Sequence, residues 1–180
     1  MTERHIILGV TGGIAVYKAA DLCSRLVSAG FQVRVVMTPS AVKLISPKIF
    51  LTLSNNDVLT DLFTEHEAKP EHVHLATWGD ALVVAPCTAN FIGKYASGIA
   101  DEPLSTTALT FRGPVLLAPA MNDNMWASPI VQENLAKVVR VLGARTVGPE
   151  TGRLACGTTG KGRMAEPADI LEKIQKIFSA

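Results

Sequence analysis

The sequence lacks the features that mark membrane, secreted and nucleic-acid-binding proteins. It has no apolar run long enough to span a bilayer. It has no run of like charges, and its net charge of +1 gives no basic stripe for nucleic acid. Its first ten residues place an acid and a base before a very short apolar run, which does not form a signal peptide. We therefore expect neither a membrane nor a nucleic acid as a partner.

Cysteine is scarce and widely spaced, at Cys23, Cys87 and Cys156. No cysteine–histidine cluster has the spacing of a zinc site, so no metal is expected. An odd count without an export signal indicates reduced thiols and a cytoplasmic location. With 180 residues, 48% of them hydrophobic, the chain is long enough for one packed domain, which we place at 1–180.

Apolar runs alternate with helical patterns along the chain. Strands that are apolar throughout and separated by helices indicate a parallel sheet covered on both faces. We predict a three-layer α/β/α Rossmann-like fold. The predicted strands are 5–10, 31–37, 81–86, 114–119 and 144–147. The predicted helices include 14–29, short helices from 38 and from 47, a helix ending near 97, and helices at 103–110, 129–142 and 167–178. A glycine-rich loop is predicted at 148–164.

Polar or glycine-rich segments directly follow four of these strands, at 11–13, 38–40, 86–90 and 119–126. Because ligands bind beyond the carboxyl ends of parallel strands, we expect the four segments to meet at one crevice. The glycine turn at 11–13 suits an anion, but it suits an ordinary tight turn equally well.

The end of the second strand narrows the choice of ligand. A nicotinamide site usually has an acid there, which grips a ribose, whereas this chain has Thr38 and Ser40. The glycines before the first helix also lack the dinucleotide spacing. Small hydroxyls at a helix start suit the phosphate of a mononucleotide such as FMN, although Ser40 also suits a helix N-cap. Thr88 and Asn90 likewise fit either a flavin or a capping turn.

Four segments together resemble the homo-oligomeric flavin-containing cysteine decarboxylases. They are GVTGGIAVYKAADL (9–22), HVHLATWGDALVVAPCTAN (72–90), PAMNDNMW (119–126) and LACGTTGKGRMAEP (154–167). Within that family the chain is most similar to the members that act in coenzyme A biosynthesis. The resemblance implies FMN as cofactor, decarboxylation of 4′-phosphopantothenoylcysteine to 4′-phosphopantetheine, and a homo-oligomer, either a trimer or a dodecamer of trimers. The ligase domain often fused behind this domain in bacteria is not expected within the chain.

The resemblance also implies roles for individual residues. His72 is the catalytic base, Cys156 is the proton donor, and Asn122 holds the substrate carboxylate. The residues expected to bind FMN are Gly12, Gly13, Ile14, Thr38, Ser40, Thr88, Ala89, Asn90 and Ala120. The residues expected along the substrate, partly in a mobile flap, are Asn122, Arg153, Ala155 and Met164.

Two positions depart from the family pattern. Thr158 stands where relatives carry an acid, which affects the expected hydrogen bonding of the closed flap. Cys87 stands where relatives carry a small or aliphatic residue, and we expect it to be structural.

In the implied reaction, oxidation of the substrate thiol to a thioaldehyde creates a sink for the electrons released with CO2. The resulting enethiolate is then reduced and protonated, and the cofactor is regenerated. His72 suits a base near neutral pH, although by composition alone it is a surface histidine in a charged loop. The Asn122 amide donates to a carboxylate without adding charge. Lys161 or Arg163 either meets the substrate phosphate or is simply solvated.

Other functions fit parts of the same sequence. A peptidyl-cysteine decarboxylase stops at the enethiol and needs no final proton donor. A flavin prenyltransferase shares the fold but uses FMN as a substrate. A regulatory flavoprotein subunit is the non-enzyme alternative, although such proteins tend to carry long acidic tails, which this sequence lacks.

Overall fold

A six-stranded parallel sheet organises the computed structural model, which describes residues 3–63, 70–153, 155 and 157–179. The strands are β1 (Arg4–Val10), β2 (Phe31–Met37), β3 (Val58–Leu59), β4 (Ala81–Cys87), β5 (Val115–Pro119) and β6 (Arg145–Thr146). Their order is β3-β2-β1-β4-β5-β6, and every neighbouring pair is parallel. The order reverses direction between β1 and β4, which is the point where ligands bind in open α/β sheets.

Helices cover both faces of this sheet. They are α1 (Val16–Ser28), α2 (Pro39–Val42), α3 (Pro47–Ser54), α4 (Glu71–Trp78), α5 (Ala89–Ser97), α6 (Pro103–Thr110), α7 (Asp123–Ala127), α8 (Pro129–Leu142) and α9 (Pro167–Phe178). One hydrophobic core packs α1, α3 and α9 against the sheet, and a second packs α4, α5, α6 and α8 against its other face. The predicted three-layer α/β/α fold is confirmed.

The strands form because their apolar side chains are buried on both sides. In β1, Ile6 and Leu8 enter the first core and Ile7 enters the second. All three are fully buried, which explains why the run has no polar alternation. The same argument confirms the predicted strands β2, β4 and β5.

Proline and glycine set most of the helix boundaries. A proline occupies the first turn of α2, α3, α6, α8 and α9, where its missing N–H breaks no intrahelical hydrogen bond. Gly98 and Gly143 end α5 and α8. The predicted start of the first helix was two residues early, because the Val16 N–H closes a turn onto the Gly13 carbonyl at 2.9 Å.

One other sequence prediction was wrong, and one alternative interpretation also fails. The segment predicted as a glycine-rich loop contains an antiparallel hairpin of β7 (Glu150–Arg153) and β8 (Thr159–Arg163). Its strands are mostly exposed, so no apolar run in the sequence indicated them. The supposed charged loop around His72 contains helix α4. None of the described helices is long and apolar enough to span a bilayer.

Candidate active site

A cavity of about 670 Å³ lies at the carboxyl ends of the central strands. Its walls come from the turn between β1 and α1, the residues after β4 and β5, and the β7–β8 hairpin. Six of the nine predicted FMN-binding residues line it: Gly12, Gly13, Ile14, Thr88, Ala89 and Ala120. All four predicted substrate-binding residues also line it: Asn122, Arg153, Ala155 and Met164. The structure therefore brings the two predicted groups to one place.

Hydrogen bonds hold the strand ends together at the floor of the cavity. The Thr11 hydroxyl donates to the Pro86 carbonyl at 2.7 Å and accepts from the Thr88 N–H at 3.2 Å. The Ala120 N–H donates to the Cys87 carbonyl at 3.0 Å. These bonds join the ends of β1, β4 and β5, so the crevice predicted from the four polar segments is real for three of them.

The segment after β2 contributes less directly than predicted. Thr38 is the N-cap of α2, and its hydroxyl accepts from the Ala41 N–H at 3.2 Å. Ser40 packs behind the glycine turn, since a Cβ built on Gly12 would lie only 2.4 Å from the Ser40 Cβ. Thr38, Ser40 and Asn90 are not among the residues that line the cavity. Their contact with FMN stays a prediction.

The hairpin lies directly on the loop after β5. The Met121 N–H donates to the Gly162 carbonyl at 3.0 Å. A Cβ on Gly162 would come within 2.2 Å of the Met121 carbonyl oxygen, and one on Gly160 within 2.6 Å of Asp123 Oδ2. Only glycine permits this approach. Between them Asn122 caps α7, because its Oδ1 accepts from the Asn124 N–H at 2.9 Å.

The cavity has a positively charged wall. Lys18, Arg153 and Arg163 line it, and no acidic side chain is among its described lining residues. Lys18 Nζ donates to the Met164 carbonyl at 3.2 Å and to Glu166 Oε1 at 2.9 Å, and Arg163 pairs with the same Oε1. These contacts, the Lys18 hydrogen bond first, hold the pKa of Glu166 below its usual value.

Sequence reasoning missed Lys18 although a signal was present. Lys18 falls among Val16, Ala19 and Leu22 on the buried side of α1, and its side chain is only 8% exposed. Lysine is almost never buried without a partner, so its place on an apolar helical face pointed to a paired or functional ammonium group. Of the two basic residues considered for a phosphate, Arg163 lines the cavity, whereas Lys161 Nζ lies 5.9 Å from the centre of the Trp126 ring.

The structure describes only one of the two remaining predicted catalytic residues, and that one does not line the cavity. His72 is half-buried in α4 and does not line it. Cys156 lies outside the described residues. Cys87 is fully buried, its burial raises the pKa of its thiol, and it does not line the cavity, which fits the expected structural role. Thr158, where an acid was expected, is exposed beside the hairpin.

Comparison with known proteins decides the family. The sequence model of the Flavoprotein family matches residues 1–179. The chain belongs to the flavoprotein family. This flavoprotein is 46% identical to the coenzyme A biosynthesis bifunctional protein CoaBC of Bacillus subtilis (strain 168), over 99% of the chain but only 44% of the relative. It thus spans less than half the length of that curated relative.

Solved structures resemble the flavoprotein over nearly its whole length. One is a PPC decarboxylase mutant complexed with pantothenoylaminoethenethiol, with a TM-score of 0.90, 29% identity, and coverage of 99% of this chain and 100% of the other. Another is the FMN-dependent cysteine decarboxylase SpaF, with a TM-score of 0.82, 31% identity, and 97% coverage of both chains. These similarities confirm the predicted family resemblance and fold.

Proposed function

We propose that this flavoprotein binds FMN and decarboxylates 4′-phosphopantothenoylcysteine to 4′-phosphopantetheine, as a carboxy-lyase of coenzyme A biosynthesis. The observation that carries the proposal is the shared cavity, in which all four predicted substrate-binding residues meet six of the predicted FMN-binding residues. The overall likeness to a PPC decarboxylase that holds a pantothenoyl thiol supports the same substrate class.

The residues around the glycine turn fit FMN. Gly12 and Gly13 expose backbone at the start of the 13-residue helix α1, where N–H groups favour a phosphate. A Cβ on Gly12 would collide with Ser40, so glycine at this position lets the turn pack against the segment after β2. Met121 and Ile14 supply apolar surface for a ring system. When bound, FMN supplies the reversible two-electron oxidation of the substrate thiol.

The protein's own groups orient the substrate and exclude water. The Asn122 side chain has its Oδ1 on the α7 backbone, so its amide NH2 is the part that suits the substrate carboxylate. A neutral amide binds the carboxylate without the strong charge pairing that would oppose CO2 loss. The docked hairpin covers this position from the opposite side through Gly162 and carries Arg153 on the facing strand.

The proposal includes a homo-oligomer. Ile14, Tyr17 and Met125 line the cavity, and their exposed fractions are 66%, 64% and 48%. Apolar side chains grouped at a cavity mouth favour burial against another protein surface. A second copy that covers them would also be the source of groups that do not line the cavity of the single chain, among them the His72 base. Light scattering on the purified protein tests this: a monomer at micromolar concentration would contradict it.

Cys156 is proposed as the acid that protonates the final intermediate.

A SpaF-like cysteine decarboxylase acting on a peptide is the second candidate function, favoured by the likeness to SpaF. The two candidates differ in substrate and in the product they release.

A cytoplasmic location and a single domain at 1–180 stay predictions. The two described cysteines, Cys23 and Cys87, are free thiols.

The decisive experiment offers the purified protein, after checking its flavin absorbance, three substrates in parallel. These are 4′-phosphopantothenoylcysteine, a peptide with a carboxy-terminal cysteine, and dimethylallyl phosphate with FMN. Release of CO2 from the first, with formation of 4′-phosphopantetheine, is the expected result. CO2 release from the peptide alone would favour the second candidate. A prenylated flavin, or a colourless protein that does not take up FMN, would refute the proposal.

A further inference from the structure

Two cations at the cavity wall share one carboxylate oxygen. Lys18 Nζ lies 2.9 Å from Glu166 Oε1, and the Arg163 guanidinium pairs with the same atom. Both basic residues line the cavity, whereas Glu166 does not. The three side chains carry a net charge of +1, so one positive charge at this wall is not balanced within the group. An anionic ligand group is the natural complement of such an arrangement.

The two cations are held very differently. The Lys18 side chain is 8% exposed and has a second acceptor, the Met164 carbonyl at 3.2 Å. The Arg163 side chain is 43% exposed. Its Cδ and Nη1 lie 3.2 and 3.3 Å from where a Cβ on Gly152 would be, so it rests on a residue with no side chain. Lys18 is therefore the fixed partner of Glu166, and Arg163 is the one free to turn.

We propose that Lys18, Arg163 and Glu166 form the subsite for the terminal phosphate of the substrate, in which Glu166 holds Arg163 until the phosphate replaces it. The inference rests on the proposed function, which supplies a substrate with a phosphate at one end. Arg163 then binds the phosphate through two parallel N–H groups, a geometry that guanidinium favours. Lys18 stays on Glu166, so the exchange leaves no carboxylate unpaired.

This subsite gives the cavity a reason to prefer a phosphorylated pantothenoyl thiol to a peptide. A peptide that ends in cysteine carries no phosphate dianion, so Arg163 would gain no stronger partner by leaving Glu166. Charge-assisted hydrogen bonds are about twice as strong as neutral ones, so a phosphate preference of about ten- to a hundredfold is expected.

The test measures binding of 4′-phosphopantetheine and of unphosphorylated pantetheine to the FMN-loaded protein by calorimetry. The wild type should prefer the phosphorylated ligand by about tenfold or more. Arg163→Gln should abolish most of that preference. Glu166→Gln should preserve or strengthen it, because both cations then face the ligand. Lys161→Gln is the matched control, since Lys161 is exposed on the same strand and does not line the cavity.

The different effects expected of Arg163→Gln and Glu166→Gln on the phosphate preference distinguish a phosphate subsite from a purely structural network. If Arg163→Gln and Glu166→Gln both weaken the preference, or if the wild type shows none, the subsite is refuted. Equal FMN content and melting temperature across the variants, with Arg163→Lys as a second replacement, exclude misfolding as the cause. CO2 release is scored separately. If the protein prefers the phosphorylated ligand through Arg163 but releases no CO2, the subsite is supported and the proposed reaction is refuted. If it releases CO2 but shows no phosphate preference through Arg163, the reaction is supported and the subsite is refuted.

Discussion

Replacing Gly162 with alanine tests whether the contact between β8 and the loop after β5 shapes the cavity. The added Cβ would lie 2.2 Å from the Met121 carbonyl oxygen and 3.2 Å from its carbon. Ordinary van der Waals contact needs about 3.5 Å, so the strand has to recede by about 1 Å. That movement also stretches the 3.0 Å hydrogen bond from the Met121 N–H to the Gly162 carbonyl.

Both costs have known sizes. Overpacking at a close contact typically costs about 1–3 kcal/mol, and a lost backbone hydrogen bond costs about 1 kcal/mol. Because the hairpin is exposed and yields by moving, we expect the free energy of unfolding to fall by about 2 kcal/mol. Arg163 and Met164 move with the strand. A displacement of about 1 Å at a positioned group costs about a hundredfold in rate, so kcat/KM for decarboxylation should fall by that factor.

Urea unfolding and CO2 release measure the two effects in the same preparations. Gly93→Ala is the matched control: Gly93 lies inside α5, and a Cβ there would meet nothing closer than Asn134 Nδ2 at 3.8 Å. That change should stabilise the protein by about 0.5–1 kcal/mol and leave activity intact. If Gly162→Ala unfolds and turns over like the wild type, the close approach has no role in shaping the site.

Three further predictions concern the acids and bases. His72→Asn should lower kcat by about a hundredfold or more, the usual size of general-base catalysis, while His74→Asn changes it little; the reverse would show that the wrong histidine was chosen. Cys156→Ser should still release CO2 but accumulate an oxidised enethiol, and a normal saturated product formed at the normal rate would remove Cys156 from the mechanism. The pKa of Glu166 is lowered from 4.5 by folding, so the unfolded chain binds more protons as the pH falls. The stability this carboxylate contributes is present above about pH 4.5 and is lost as the pH falls through its folded value; urea unfolding of Glu166→Gln should lack that part of the pH dependence.

The sheet could be predicted from the sequence because burial on both faces leaves an unambiguous pattern. The runs that end at Val10, Met37, Cys87 and Pro119 are predominantly apolar, and each passes into a segment rich in glycine, hydroxyl or amide groups. When helices separate such strands along the chain, a parallel sheet buried on both faces is the arrangement that the pattern indicates. The same strand ends predicted the crevice, since parallel strands present their carboxyl ends at one edge.

The hairpin and the partner of Lys18 could not be predicted in this way because both depend on contacts between distant parts of the chain. The sequence from Glu150 to Arg163 is polar and glycine-rich, and its strand β8 is joined to the loop after β5 by the hydrogen bond from the Met121 N–H to the Gly162 carbonyl. The pair between Lys18 and Glu166 joins residues 148 positions apart. The local sequence around Lys18 does not indicate that its partner is Glu166, and the sequence around Glu166 does not indicate Lys18. Only the folded structure reveals that α1 anchors the end of the hairpin.

These contacts link docking of the hairpin to the proposed ligand binding. Glycines at 152, 160 and 162 lower the intrinsic preference of the hairpin for strand structure. Its position therefore relies on docking, through Met121 at one point and Lys18 at the other. A substrate held as proposed, by Asn122 on the loop and by Arg153 on the hairpin, would bridge the same two surfaces. Such a ligand must stabilise the docked hairpin by as much as the docked hairpin strengthens its binding, because the two equilibria are thermodynamically linked.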